Sequence, residues 1–161
     1  MVKFGGVWRC LPLCPAAAIL ARMHEWALAE AVIEAAGAAL GGRPAACLRS
    51  VTVTMGELQA IDREIFQFAL TTLLEERPFR GARFVLETEP AELHCRACAR
   101  AWGLHETEGL TEETREAIHF LPEAGHAFIR CPSCGSPDYA VGKGRGVSIK
   151  SIDLAATDSC V

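Results

Sequence analysis

The chain has 161 residues, half of them hydrophobic and 22% charged, which suits one domain or one domain with a small metal lobe and excludes general disorder. Its net charge of −4 has the wrong sign for a nucleic-acid module, which presents a basic face. The longest uncharged run near the start, Cys10 to Ala21, is too short to span a bilayer.

Lys3 and Arg9 precede the apolar run Leu11 to Ala21, a loose imitation of a signal peptide. Pro12 and Pro15 break the run, and no polar region precedes the Ala21-Arg22-Met23 junction, so secretion is not expected. Cys10 and Cys14 form a lone CxxxC, a weak metal signal. Residues 1–22 read as an extension of the kind a misplaced translation start produces, with Met23 as the natural start.

From Met23 a helical period sets in. Leu28, Val32 or Ala31, Ala35 and Ala39 form one stripe, with Ala29, Ile33, Ala36 and Leu40 beside it. Gly41-Gly42 ends this helix and Pro44 prevents its restart. Val51, Val53 and Met55 alternate with Thr52 and Thr54, a half-buried strand stopped by Gly56. Asp62 is placed to cap a second helix, whose apolar face is Ile65, Phe66, Ala69, Leu70, Leu73 and Leu74, with Pro78 past its end. Phe84, Leu86 and Thr88 then alternate with Arg83, Val85 and Glu87 in a second strand.

That strand runs toward two knuckles, Cys95-Arg96-Ala97-Cys98 and Cys131-Pro132-Ser133-Cys134, with residues 99–130 between them. A two-residue gap lets both sulfurs of a knuckle reach one ion, and two such pairs close a tetrahedron around Zn²⁺. Pro132 pre-sets one turn, and Gly135 is free to take a positive φ. A redox CxxC would call for a thioredoxin-like βαβ context, and a disulfide scaffold for a chain short of core. Neither context is evident, so structural zinc is the favoured reading. Free cysteines used in this way point to a reducing cytoplasm.

After the second knuckle come Asp138-Tyr139-Ala140-Val141 and Gly142-Lys143-Gly144-Arg145-Gly146. The glycines lack the following helix and GK[ST] pattern of a phosphate loop, and read as a flexible hinge. Val147 to about Leu154 reads as a last strand that returns to the sheet of the body, and Cys47 and Cys160 read as spare thiols. Glu112 to Glu116 reads as a solvated helical face.

Met23-His24-Glu25 offers a second metal site. If Met23 is the first residue, its α-amino group, with an ordinary pKa near ~8, is a usable nitrogen donor. The His24 imidazole and the deprotonated amides of His24 and Glu25 complete a near-planar set of nitrogens, a geometry that favours Ni(II) or Cu(II). With residues 1–22 attached, Met23 carries an amide in place of the amine.

Met23-His24-Glu25 opening an amphipathic helix, then Val53-Thr54-Met55-Gly56-Glu57-Leu58, the paired knuckles and Gly144-Arg145-Gly146-Val147 together resemble the HypA/HybF family, nickel metallochaperones of [NiFe]-hydrogenase maturation. The likeness runs from Met23 to about Leu154, and the long inter-knuckle segment is similar to archaeal-type members. It implies an α+β fold in which two helices pack on a small β-sheet as a nickel-binding domain, with a zinc-ribbon-like lobe inserted. The implied division is 1–22 extension, 23–90 nickel-binding domain, 91–142 zinc lobe, 143–155 returning strand and 156–161 tail. Implied nickel ligands are the Met23 amine, His24, Glu25 (mainly through its amide) and, from the inter-knuckle segment, His119, with His126 the neighbouring candidate. Implied zinc ligands are Cys95, Cys98, Cys131 and Cys134. The resemblance makes Zn²⁺ structural and Ni²⁺ cargo. It also implies a HypB-type GTPase and the hydrogenase large subunit as partners, in the cytoplasm, without nucleic acid or membrane. A homodimer with an exchanged last strand is compatible with it.

The competing reading is a zinc-ribbon module for protein or nucleic acid, which leaves the Met23 helix unexplained. Enzymatic readings fail on chemistry: four cysteine ligands leave zinc no open position, and no nucleophile–base pair stands out.

Overall fold

The computed structural model describes residues 15–79 and 81–156, apart from the side chains of residues 15–23, Glu112, Glu116, His119, Phe120 and Pro122. Cys10, Cys14 and Cys160 lie outside them.

Alternation decides the first sheet. Val51, Val53 and Met55 of strand β1 (Leu48–Gly56) are buried, while Thr52 and Thr54 are only half-buried. β1 is the central strand, parallel to β2 (Arg83–Glu89) and antiparallel to β6 (Val147–Leu154). Its inward residues meet Phe84 and Leu86 on one side and Ile152, Ile149 and Val147 on the other. A parallel pair needs a crossover, here supplied by helix α2 (Arg63–Glu75). Asp62 caps that helix, its Oδ1 accepting from Glu64 and Ile65 amides at 2.9 and 3.0 Å. Phe66, Ala69, Leu70 and Leu74 form its buried stripe, and fully burying Phe66 or Leu70 contributes about 1.5–3 kcal/mol each.

Helix α1 (Pro15–Ala38) packs beside α2 over the same core. Of its two candidate stripes the buried one is Ala29, Ile33, Ala36 and Leu40 with Val32, while Ala35 and Ala39 face solvent. The helix chooses the face that removes Ile33 and Leu40 from water, the larger apolar gain. It starts at Pro15, ahead of Met23, with a φ that proline pre-sets for a first turn. None of the described helices is long and apolar enough to cross a membrane. Cys47, expected as a spare thiol, is disulfide-bonded.

The second half carries its own sheet, in the order β4-β3-β5, from β3 (Glu92–Cys95), β4 (Ala101–Gly103) and β5 (Tyr139–Lys143). Helix α3 (Glu112–Phe120), capped by Thr111, and the short α4 (Gly125–Phe128) bring Ile118 and Ile129 into a second core with Leu93, Trp102, Leu104 and Tyr139. Cys95 and Cys131 belong to that core, and so does Leu58 from just beyond β1.

The glycine-rich segment is a pinned joint and not the flexible hinge its composition suggests. Gly144 and Gly146 have φ of 79° and 76°. The Gly146 and Gly144 carbonyls accept from Gly56 and Leu58 amides at 2.8 and 2.9 Å, and the Gly144 amide donates to Glu89 Oε2 at 2.8 Å. A Cβ on Gly56 would sit 2.4 Å from Gly144 backbone, and one on Gly144 would sit 2.5 Å from Ala91 Cα. The Met55-Gly56-Glu57-Leu58 and Gly144-Arg145-Gly146 motifs are thus the two sides of one close backbone crossing.

Candidate metal centre

β3 ends on Cys95, opposite Tyr139, and α4 delivers the chain to Cys131. Each knuckle then closes by the same pair of backbone bonds. The Cys95 amide donates to Arg100 O and the Ala99 amide to Cys95 O, at 2.8 and 3.0 Å. The Cys131 amide donates to Ser136 O and the Gly135 amide to Cys131 O, at 2.9 and 2.8 Å. Arg96 clasps the two knuckles together, its amide on Asp138 O and its guanidinium on Asp138 Oδ1, each at 3.0 Å.

The result is four free thiols whose sulfurs all lie within 4.8 Å of one another. Across the knuckles, Cys95 Sγ is 3.6 Å from Cys134 Sγ and Cys98 Sγ is 3.7 Å from Cys131 Sγ. A tetrahedron of Zn–S bonds near 2.3 Å has edges of about 3.8 Å, whereas a disulfide needs about 2.05 Å. The donor set therefore fits a four-coordinate soft-metal site. Cys95 and Cys131 are buried and Cys98 and Cys134 exposed, so an ion held there would be anchored in the lobe core on one side and reachable from solvent on the other.

Electrostatics point the same way. Burial opposes ionisation of Cys131, but the Cys134 and Ser133 amides and the Cys98 and Cys134 thiols bring its pKa down to about 7. At Cys134 the Ser136 amide favours the thiolate, yet Cys95, burial, Cys98 and Cys131 together push its pKa up to about 12. Sulfurs this close share one negative charge readily and further charges only with a cation among them.

His94 and His126 of the lobe are otherwise engaged. His94 Nε2 donates to Glu92 Oε1 at 2.8 Å on the exposed face of β3. The His126 ring stacks on Tyr139, centroids 4.3 Å apart, and its Nδ1 donates to the Pro137 carbonyl at 3.0 Å. His105 packs against Gly103. His119 is the penultimate residue of α3, and its side chain lies outside the described residues. Among the described residues, the cysteines are the one group of three or more His, Cys, Asp or Glu donors close enough to share an ion.

Met23, His24 and Glu25 are consecutive residues of α1. In the chain as it stands the Met23 nitrogen is a peptide nitrogen, and its side chain lies outside the described residues. His24 is half-buried. Glu25 is 3% exposed, its Oε1 accepting from the Asp62 amide at 3.4 Å and its Oε2 buried without a hydrogen-bond partner among the described residues. The sequence marks Asp62 as a cap, but its contact with Glu25 could not be read there, because nothing local aligns α1 with the start of α2.

A family model described as "Hydrogenase/urease nickel incorporation, metallochaperone, hypA" matches residues 23–154. The chain belongs to the HypA family. Hydrogenase maturation factor HypA of Pyrococcus abyssi is 44% identical over 133 residues, 82% of this chain and 96% of the relative. HypA of Methanothermobacter thermautotrophicus is 33% identical over 136 residues, 84% of this chain and all of the relative. The solution structure of the Ni metallochaperone HypA from Helicobacter pylori superposes with a TM-score of 0.54 at 20% identity, covering 82% of this chain and 97% of that one. That likeness is one of fold, and it agrees with the α+β architecture and the small sheets. The HypA family is one of nickel metallochaperones for hydrogenase maturation, and the tetrathiol cluster is a site that could hold zinc.

Proposed function

We propose that this HypA chain carries Ni(II) as cargo at Met23-His24-Glu25, keeps zinc as a structural ion on Cys95, Cys98, Cys131 and Cys134, and is not an enzyme. The observation that carries the reading is the family match, which begins at Met23 and so makes Met23, His24 and Glu25 its first three residues. In a polypeptide beginning there, the Met23 amine, the His24 imidazole and the His24 and Glu25 amides lie within one turn. They hold Ni(II) in a near-planar set of nitrogens, with His119 as the further ligand. Four thiolates fill the zinc coordination sphere and leave no place for substrate water. The zinc when bound supplies folding free energy to the lobe.

Cargo must be released. Protons compete with nickel for the amine and the imidazole, so acid favours release. Ligands on one chain terminus can also be exchanged one at a time by a partner. The receiving partners in this reading are a HypB-type GTPase and the [NiFe]-hydrogenase large subunit, in the cytoplasm. Nickel titration of the chain starting at Met23, between mildly acidic and mildly alkaline pH, tests the proposal. Affinity should rise with pH by at least about tenfold and be lost in His24→Ala. A flat profile, or unchanged uptake in that variant, overturns it.

A further inference from the structure

The chain leaves the second knuckle through Ser136-Pro137-Asp138. Ser136 is half-buried and Pro137 and Asp138 are exposed, so hydrogen bonds to the carbonyls, and not core packing, hold this strap in place. Ser136 O accepts from the Cys131 amide at 2.9 Å and Asp138 O from the Arg96 amide at 3.0 Å. Both donors are backbone groups, which no side-chain substitution removes. Pro137 O differs, because its donor is a side chain, Nδ1 of His126 on α4, at 3.0 Å. That imidazole is itself fixed from several sides. Its ring stacks on the buried Tyr139, centroids 4.3 Å apart with 26° between the planes. Its backbone carbonyl accepts from Arg130 Nη1 at 3.0 Å. Gly125, just before it, brings α4 so close that a Cβ there would sit 2.6 Å from Tyr139 Oη.

We propose that His126 is a positioning residue for the four-cysteine site, holding Pro137 O so that the Ser136 amide stays on Cys134 and this exposed sulfur keeps its place. Proline fixes its own φ, so an anchor on Pro137 O orients the preceding peptide unit with it. The amide of Ser136 is the group that favours the Cys134 thiolate. Cys134 is one of the two exposed sulfurs, which a competing chelator meets before the buried pair. Releasing the strap therefore frees a ligand at the solvent side, where exchange begins, while Cys95 and Cys131 remain in the core. The donated hydrogen bond carries this role, and the ring over Tyr139 only aims it. The consequence for metal retention rests on reading the four cysteines as a zinc site; the hold on the strap does not.

The test compares the full chain with its His126→Ala, His126→Asn and His126→Phe variants. Asparagine offers an N–H donor near the place of Nδ1 without the ring, whereas phenylalanine keeps a ring over Tyr139 and donates nothing. Zinc transfer to a chromogenic chelator should run about tenfold faster than the parent in His126→Ala and His126→Phe, and within about threefold of it in His126→Asn. Amide exchange at Arg96 and Cys131, the two other donors to the strap, should quicken in the same two variants. Should His126→Ala fail to hold zinc, His126→Asn against His126→Phe carries the same expectation. His126→Phe at the parent rate, His126→Asn as fast as His126→Ala, or His126→Ala unchanged overturns the proposal. Failure of the zinc reading shows separately, as a parent chain that binds no zinc. Exchange at Arg96 and Cys131 in the three variants then decides whether His126 holds the strap.

Discussion

Ala99 and Gly135 occupy the same place in the two knuckles, each four residues after the first cysteine, with φ of 61° and 70°. Each donates its amide back to that cysteine's carbonyl, so the two turns are copies of one conformation built from different residues. Left-handed backbone costs a residue with a Cβ roughly 1–2 kcal/mol relative to glycine. Gly135→Ala should destabilise the zinc-loaded protein by about 1 kcal/mol in thermal unfolding. Ala99→Gly should stabilise it by less than that, because glycine also gains freedom in the unfolded chain.

The thiol cluster makes metal uptake sensitive to acid. With Cys134 protonated up to about pH 12 and Cys131 ionised only above about 7, zinc must displace protons in order to bind. Competition with a chromogenic chelator should show weaker zinc retention at pH 6 than at pH 8. For the metal-free protein the sign differs between the two sulfurs. The depressed pKa of Cys131 gives a stabilisation present above its ordinary value of 9.0 and lost as pH falls through about 7. The raised pKa of Cys134 gives one that is present below 9.0 and lost as pH rises through about 12.

The backbone crossing at Gly56 and Gly144 has no room for a side chain. Gly56→Ala places a Cβ against backbone, which cannot swing aside as a flexible side chain can. Overpacking of this kind costs about 1–3 kcal/mol or more. Urea unfolding should show that loss. Gly41→Ala, at a helix end where a Cβ meets nothing within 4 Å, should show only the smaller cost of its φ of 56°.

Long periodic elements were legible in the sequence. β1, the Asp62 cap, the α2 face and β2 follow from alternation, helical period and cap chemistry, and the two CxxC pairs pointed to the four-cysteine cluster. Other features depend on packing. β3 and β4 run for only four and three residues, too short for a period to show, so the second sheet could not be read. The two stripes of α1 differ by a small rotation, and only the packed core selects between them. The glycine-rich stretch read as a hinge because the backbone it crosses is far away in sequence. Leu58 stands in the sequence as the last residue of the Val53–Leu58 motif, and its burial beside Cys95 and Cys131 becomes visible only when the lobe is folded.

In the proposed function a zinc ion on four sulfurs builds the lobe while nickel travels on an unblocked nitrogen cluster at Met23. Intact mass of the natively expressed protein under gentle conditions tests it most directly, since one spectrum reports both the first residue and the bound metals. The expected spectrum is that of a chain that starts at Met23, holds one zinc, and takes up one nickel that His24→Ala abolishes. A chain that retains residues 1–22 and takes up nickel equally well with and without His24 would contradict it.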